Sequence, residues 1–244
     1  ALVENIHFLP EAAPRAVGWK AVARVVSDFA AMGGTPERFL VTLALPPELR
    51  VSWVEDFYRG MAECLSRFNA TLAGGETSGV PAGSAAVISI AATGRVKPEH
   101  LVLRSTAESG HALLVTGTLG GSLRGKHLDF MPRVAEAAWL VRNFKPTAMM
   151  DLSDGLGKDL PRLADASGTG FIIEEDSLPL SSGCTPDAAI RDGEDFELLF
   201  TLPAHLVPAL LKEWPFSEVP VTHIGQLVSQ GTGQILKGGW EHFS

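Results

Sequence analysis

An amphipathic helix that stops at paired glycines and gives way to a buried strand is the strongest constraint in this sequence. Over residues 18–32, GWKAVARVVSDFAAM sets Trp19, Val22, Val25, Val26 and Phe29 at helical spacing, and Gly33-Gly34 follow. Apolar residues recurring at three and four positions line one face of a helix, and glycine accepts the turn that ends it. FLVTLAL, residues 39–45, then runs apolar without that spacing and stops at Pro46-Pro47, which predicts a buried strand. SWVEDFYRGMAECLSRF restores the helical period with Trp53, Phe57, Met61, Leu65 and Phe68 behind a Ser52 cap. Helices and strands alternating in this way bury sheet against helix, so the expected class is α/β.

The alternation continues. LVENIHF at the start and AAVISIAATGRV read as strands, and KPEHLVLR, with Pro98 and a rise in polarity, reads as a domain boundary. Beyond it HALLVTG, GFIIEED and DFELLFTL read as strands, RVAEAAWLVRNF and AHLVPALLKEW as helices, and short strands fill the remainder. With 244 residues, 45% of them hydrophobic, the chain can build two cores, expected over residues 1–97 and 98–244. The first residue is Ala1, already inside an expected strand, so a segment upstream is expected.

Charge narrows the function. Lys and Arg number 20 against 28 Asp and Glu, and no basic block occurs, which argues against nucleic acid or an anionic membrane as partner. AAVISIAA is far short of the roughly 20 apolar residues of a membrane span. The two cysteines, Cys64 and Cys184, make no disulfide framework or thiolate metal site, and a reducing cytoplasm is the expected compartment. A polyanionic ligand would therefore need a cation to mediate its binding.

GGSLRGKH, residues 120–127, satisfies G-x-x-x-x-G-K after a strand, but His127 stands where a P-loop has Ser or Thr, and Pro132 interrupts the helix that should follow. The match is read as accidental. The acidic positions say more. Asp28 lies in SDFAAMGG, Glu76 in LAGGETSG, and Asp151, Asp154 and Asp159 crowd into AMMDLSDGLGKDLPRLAD, each beside small residues that let a charged ligand approach the backbone. Taken singly, Asp28 is compatible with a solvated helix flank, Glu76 with a turn, and Ser153 or Asp154 with a cap. Two carboxylates about 4 Å apart repel by about 1 kcal/mol in water and about 4 kcal/mol at an effective dielectric near 20, which a bound Mg²⁺ would convert into coordination. Asp159 precedes Leu160-Pro161 and reads as a helix-start residue outside that pair.

Together LVENIHF, GWKAVARVVSDFAAMGGTP, GGETS, VLRSTAESG, VTGTLG, MDLSDGLGKDL, DGEDFELLFTLP and GGWEHF resemble, in order and over almost the whole chain, the signature of the thiamine-monophosphate kinase family. The resemblance implies the two-domain α/β fold of the aminoimidazole ribonucleotide synthetase superfamily, with N-terminal strands forming the barrel of a homodimer and a C-terminal α/β sandwich. It implies transfer of the γ-phosphoryl group of ATP to thiamine monophosphate with several Mg²⁺ ions. By motif, Asp28, Glu76, Asp151 and Asp154 are the implied metal ligands, and Gly75, Arg104 and Ser153 the implied ATP contacts. His7, Glu194 and Trp240 are implied on the thiamine phosphate side, where Trp240 would stack on a thiamine ring. As bare residues, His7 is equally compatible with a core histidine and Trp240 with a sealed hydrophobic edge. No general base is implied, because the acceptor's own phosphate is largely ionised at neutral pH and catalysis rests on metal and positioning.

The family pattern also carries an Asp-rich segment and an Asp-Thr pair ahead of LVENIHF, Asp where Glu76 stands, and a longer span before Glu194. Further ligands are thus expected outside the sequence as it stands. Two other readings stay open at this point: a superfamily relative of the aminoimidazole ribonucleotide or selenophosphate synthetase type, and a non-catalytic nucleotide-binding protein.

Overall fold

Both amphipathic helices form, and they touch through glycine. In the computed structural model, which describes residues 1–241, α1 spans Pro14–Ala31 and α2 spans Val51–Arg67. A Cβ on Gly18 would lie 1.9 Å from the carbonyl oxygen of Phe57, and one on Gly60 would lie 1.8 Å from that of Arg15. Each helix thus presses backbone to backbone at a position only glycine can fill. Around this contact α2 buries Phe57, Met61, Cys64 and Leu65, and Trp53 stacks on Phe57 with centroids 5.6 Å apart. Each such large apolar side chain contributes about 1.5–3 kcal/mol by leaving water.

The chain divides into two compact units, one made of Ala1–Phe29, Thr35–Arg95 and Leu128–Pro132, the other of Ala30–Gly34, Val96–His127 and the chain from Arg133 on. The first unit carries a sheet of β1 (Leu2–Val3), β2 (Thr35–Leu45), β3 (Thr71–Gly79) and β4 (Val87–Arg95) in the order β1-β4-β2-β3. Phe39, Val41 and Leu43 of β2 are buried while Leu40 and Thr42 between them are exposed, the alternation of a strand with one covered face. Trp19 of α1 donates its indole N–H to the carbonyl of Phe130 at 2.9 Å, tying the 128–132 segment to this unit.

Two local expectations are corrected, and one strand forms that the periodicity did not predict. The strand expected over LVENIHF ends after Val3, because Asn5 turns into the left-handed region at φ 64° and the amides of Ile6 and His7 both donate to the Val3 carbonyl. Ser52 is not the cap of α2: the helix starts at Val51, so Arg50 holds the cap position and makes no side-chain cap bond. TLAGGETSG, which has no hydrophobic pattern, is the strand β3; among the described residues it pairs with β2 alone, in parallel, through its backbone.

The second unit is built on a five-stranded antiparallel sheet, β6-β8-β5-β9-β7, from β5 (His111–Thr116), β6 (Ala148–Asp151), β7 (Thr169–Ile173), β8 (Leu198–Pro203) and β9 (Val221–Ser229). Its helices are the single turn α3 (Lys126–Asp129, whose last two residues belong to the first unit), α4 (Val134–Asn143), α5 (Leu156–Ala166), α6 (Pro186–Arg191) and α7 (Val207–Glu213). Leu113 and Val115 of β5 join a core with Leu156, Leu160 and Leu163 of α5. Ala112 and Leu114 join one with Leu140 of α4 and Leu210 of α7. Covered on both faces, β5 is apolar at nearly every position, which is why HALLVTG lacks alternation. The region expected to hold short strands contains β9, nine residues long and paired with both β5 and β7. GFIIEED leaves the sheet after Ile173, and DFELLFTL enters it only at Leu198.

Replacing Gly60 with Ala should destabilise the fold by about 1–3 kcal/mol despite a helix-propensity gain of about 1 kcal/mol. Gly79→Ala, where a Cβ meets nothing within 4 Å, should change stability by less than about 0.5 kcal/mol. Urea unfolding midpoints of the two variants measure the difference.

Candidate active site

The DLSDG stretch is the end of a strand and the start of a helix. β6 finishes at Asp151, whose side chain is buried, and α5 begins after Gly155. Between them the amides of Ser153 and Asp154 both donate to Oδ2 of Asp159, at 3.0 and 2.8 Å. Asp159 lies in the first turn of α5 and is fully buried, so the helix-start residue also grips the loop ahead of it. Burial pushes its carboxyl up to about 6; the Asp154 amide it accepts and Arg162 pull the other way, while the Asp154 charge adds to the rise. Arg162 spans the two acids, donating to Asp154 Oδ2 at 2.7 Å and to Asp159 Oδ1 at 2.9 Å.

Two distant segments close on this loop. The amide of Glu194 donates to the Ser153 carbonyl, that of Phe196 to the Leu152 carbonyl and that of Trp240 to the Asp154 carbonyl, each at 2.8 Å. Lys158 Nζ donates to the Trp240 carbonyl at 2.5 Å. Glu194 and Phe196 adopt φ values of 63° and 51°, a region that costs a non-glycine residue about 1 kcal/mol or more and persists only where surroundings enforce it. At Gly239, φ 91°, a Cβ would fall 2.6 Å from the Asp154 carbonyl, so the approach of the third segment requires glycine. The structure therefore brings together Asp151, Ser153, Asp154, Glu194 and Trp240. His242 and Phe243, the end of the GGWEHF motif, lie outside the described residues.

Behind this loop is a buried ionic cluster that the sequence did not disclose. Glu197 is 1% exposed and accepts hydrogen bonds from Arg133 Nε and Nη2, both at 2.6 Å, from Lys126 Nζ at 2.9 Å and from the Thr116 hydroxyl at 2.9 Å. Asp195, equally buried, accepts from the Gly120 amide at 3.1 Å and from the Ser122 hydroxyl. Burial pushes the Asp195 carboxyl up to about 6 against these bonds and the nearby Lys126 charge. Lys126 and the Gly120 amide, which a P-loop would offer to phosphate, are thus turned inward to carboxylates, and the helix that carries Lys126 is a single turn.

The other expected residues occupy separate elements. Asp28 lies in the last turn of α1 with an exposed side chain, yet desolvation by surrounding protein raises its carboxyl above the ordinary range, with the Arg24 charge opposing. Glu76 lies on β3, fully open, and accepts from the Ser78 hydroxyl at 3.2 Å. Gly75 precedes it where a Cβ would be 2.0 Å from the Val41 carbonyl, so strand pairing alone demands glycine there. His7 accepts the Val3 amide on Nδ1 at 3.0 Å, and its carbonyl accepts from the buried Lys20 at 2.5 Å. Arg104 is exposed, its carbonyl accepting from Ser167 at 2.9 Å. Among the described residues no group of three His, Cys, Asp or Glu side chains is gathered for a metal ion. The donors that are present are carboxylate oxygens, one or two per element. That set suits Mg²⁺, which takes few protein carboxylates and completes its shell with water and phosphate oxygens.

Comparison with known proteins gives two family matches, one after the other along the chain. Residues 1–96 match the AIR synthase related protein N-terminal domain, and residues 101–237 match the AIR synthase related protein C-terminal domain. Thiamine-monophosphate kinase of Rhodopirellula baltica is 41% identical over 88% of this chain and 69% of that protein. The Synechococcus elongatus thiamine-monophosphate kinase is 35% identical over 100% of this chain and 85% of that protein. Among solved structures, AaThiL complexed with AMPPCP and TMP superposes with a TM-score of 0.82 at 32% identity, covering 99% of this chain and 85% of that one.

The Asp195 carboxyl titrates near 6 in the folded chain against 3.8 as its reference value. Between about pH 4 and pH 6 the folded state holds this proton more tightly than the unfolded state, so the contribution to stability falls as pH rises, by up to about 1.4 kcal/mol per unit. Asp195→Asn should flatten that decline. Unfolding free energies of the two proteins from pH 4 to pH 6 test it, and parallel slopes would refute the assignment.

Proposed function

The chain belongs to the thiamine-monophosphate kinase family of AIR synthase related proteins, and on that premise we propose that it transfers the γ-phosphoryl group of ATP directly to thiamine monophosphate, in line and with Mg²⁺. The observation that carries this reading is the meeting of Ser153 with Glu194 and of Asp154 with Trp240, on the loop that leaves β6 at Asp151, so that residues implied for metal, nucleotide and acceptor lie on segments joined by backbone hydrogen bonds.

Asp28, Glu76, Asp151 and Asp154 would hold the ions. Bound Mg²⁺ supplies the neutralisation of phosphate charge that a chain with 28 acidic and 20 basic residues cannot supply with lysines. Ser153, whose amide Asp159 fixes, would offer its hydroxyl to the nucleotide, with Gly75 and Arg104 as further ATP contacts. Glu194, Trp240 and His7 would bind the acceptor, with the Trp240 ring stacked on a cationic thiamine ring. The nucleophile is an oxygen of the acceptor's phosphate, ionised at neutral pH because its second pKa is about 6, so this chain's task is alignment and no side chain removes a proton. Arg162 keeps the Asp154 carboxylate directed while its Asp159 neighbour anchors the backbone.

Exposed leucines on adjacent strands, Leu40 and Leu72, support the reading of the first unit's sheet as a homodimer surface. No helix among the described residues is long and apolar enough to cross a membrane. The proposed compartment is the cytoplasm, on the two isolated cysteines, and the acidic balance with no basic block argues against nucleic acid or an anionic membrane as partner.

Asp151→Asn should lower turnover of thiamine monophosphate by at least about a hundredfold while the melting temperature stays within a few degrees. Near-normal turnover would remove Asp151 from the metal site.

A further inference from the structure

The glycine-rich stretch that fails as a P-loop has a different task. Each acidic side chain of residues 192–197 is met by a group from residues 120–133. Asp192 accepts the Gly121 amide at 2.7 Å, Asp195 the Gly120 amide, and Glu197 the Lys126 and Arg133 side chains. The fourth is Glu194, whose Oε2 lies 3.1 Å from Nδ1 of His127. Of these carboxylates only Glu194 belongs to the motif set implied for the acceptor. His127 is 9% exposed and directly follows Lys126, which is fixed by Glu197 and by the Thr118 carbonyl at 3.1 Å. The imidazole is thus held on a pinned turn against a carboxylate whose own backbone is held in the left-handed region.

We propose that His127 is a positioning residue for acceptor selection. Its N–H fixes the rotamer of Glu194, so that this carboxylate meets the cationic, aminopyrimidine-bearing acceptor already oriented, without losing side-chain freedom on binding. A carboxylate held by a second hydrogen-bonded group discriminates more sharply than a mobile one, because it cannot reorient to suit a mismatched acceptor. The proposal rests on the reading of Glu194 as an acceptor contact.

The test uses the full chain with Mg·ATP and measures KM for thiamine monophosphate, KM for ATP and kcat in wild type, Glu194→Gln, His127→Phe and His127→Gln. Phenylalanine keeps the ring volume without the donor, and glutamine keeps a donor. Glu194→Gln should raise KM for thiamine monophosphate about tenfold and leave KM for ATP within about twofold. His127→Phe should raise the same KM about five- to tenfold, and His127→Gln should recover most of the loss. His127→Phe combined with Glu194→Gln should be no worse than Glu194→Gln alone, since one residue acts through the other. An unchanged KM in Glu194→Gln overturns the acceptor reading itself. A raised KM in Glu194→Gln with an unchanged one in His127→Phe, additive effects in the pair, or an equal rise in both substrates' KM overturns the positioning role. Should His127→Phe not fold, His127→Leu, which also lacks the donor, alone and combined with Glu194→Gln, decides by the same additivity.

Discussion

Glu197 is a carboxylate nearly without solvent, and the second unit's candidate site is arranged around its neutralisation. Arg133 and Lys126 supply the opposing charge and Thr116 a further donor. Removing one partner from such a buried cluster costs about 3–5 kcal/mol, because the remaining charge is stranded in a medium that cannot solvate it. The same residue is tied through its backbone: its carbonyl accepts the Leu152 amide at 2.9 Å, and the amide of Phe196 beside it donates to the Leu152 carbonyl. Fixing Glu197 therefore fixes the line along which residues 152–154 leave β6. Asp159 grips that line from the helix side and Trp240 from the far end of the chain, so three parts of the sequence determine one loop.

This arrangement accounts for an acidic protein that handles polyanions. Three basic groups around the loop, Lys126, Arg133 and Arg162, are directed at carboxylates of the chain itself. They hold Asp154 and the 192–197 segment in shape, and in the proposed mechanism the electrostatic work on phosphate would pass to cations bound by carboxylates. Preorganisation is the gain: groups already oriented lose little freedom when the transferring phosphoryl must be aligned.

Much of the fold was legible because burial writes a period into sequence. The helices around Val22 and Phe57 show apolar spacing of three and four, and β5 reads as a buried strand since both its faces are covered. What escaped lacked such a trace. β3 is an edge strand with open side chains, so TLAGGETSG carries no pattern although it holds Gly75 and Glu76. The strand expected from DFELLFTL starts late because Glu194 and Phe196 take left-handed backbone for the sake of distant hydrogen bonds. Motifs named Asp151, Ser153, Asp154, Glu194 and Trp240 one by one; that they share a loop cluster is a matter of pairing across tens of residues. Arg133 and Lys126 were invisible as partners of Glu197, being 64 and 71 positions away with no local signal.

Formation of thiamine diphosphate, with the acceptor's own phosphate as the proposed nucleophile, is open to direct measurement. Its most direct test is chromatographic quantification of thiamine diphosphate and ADP after incubation of the protein with Mg·ATP and either thiamine monophosphate or thiamine. Equimolar ADP and thiamine diphosphate should form from thiamine monophosphate, and neither from thiamine. ADP release without thiamine diphosphate, or bound ATP with no phosphate-dependent turnover, would contradict the proposal.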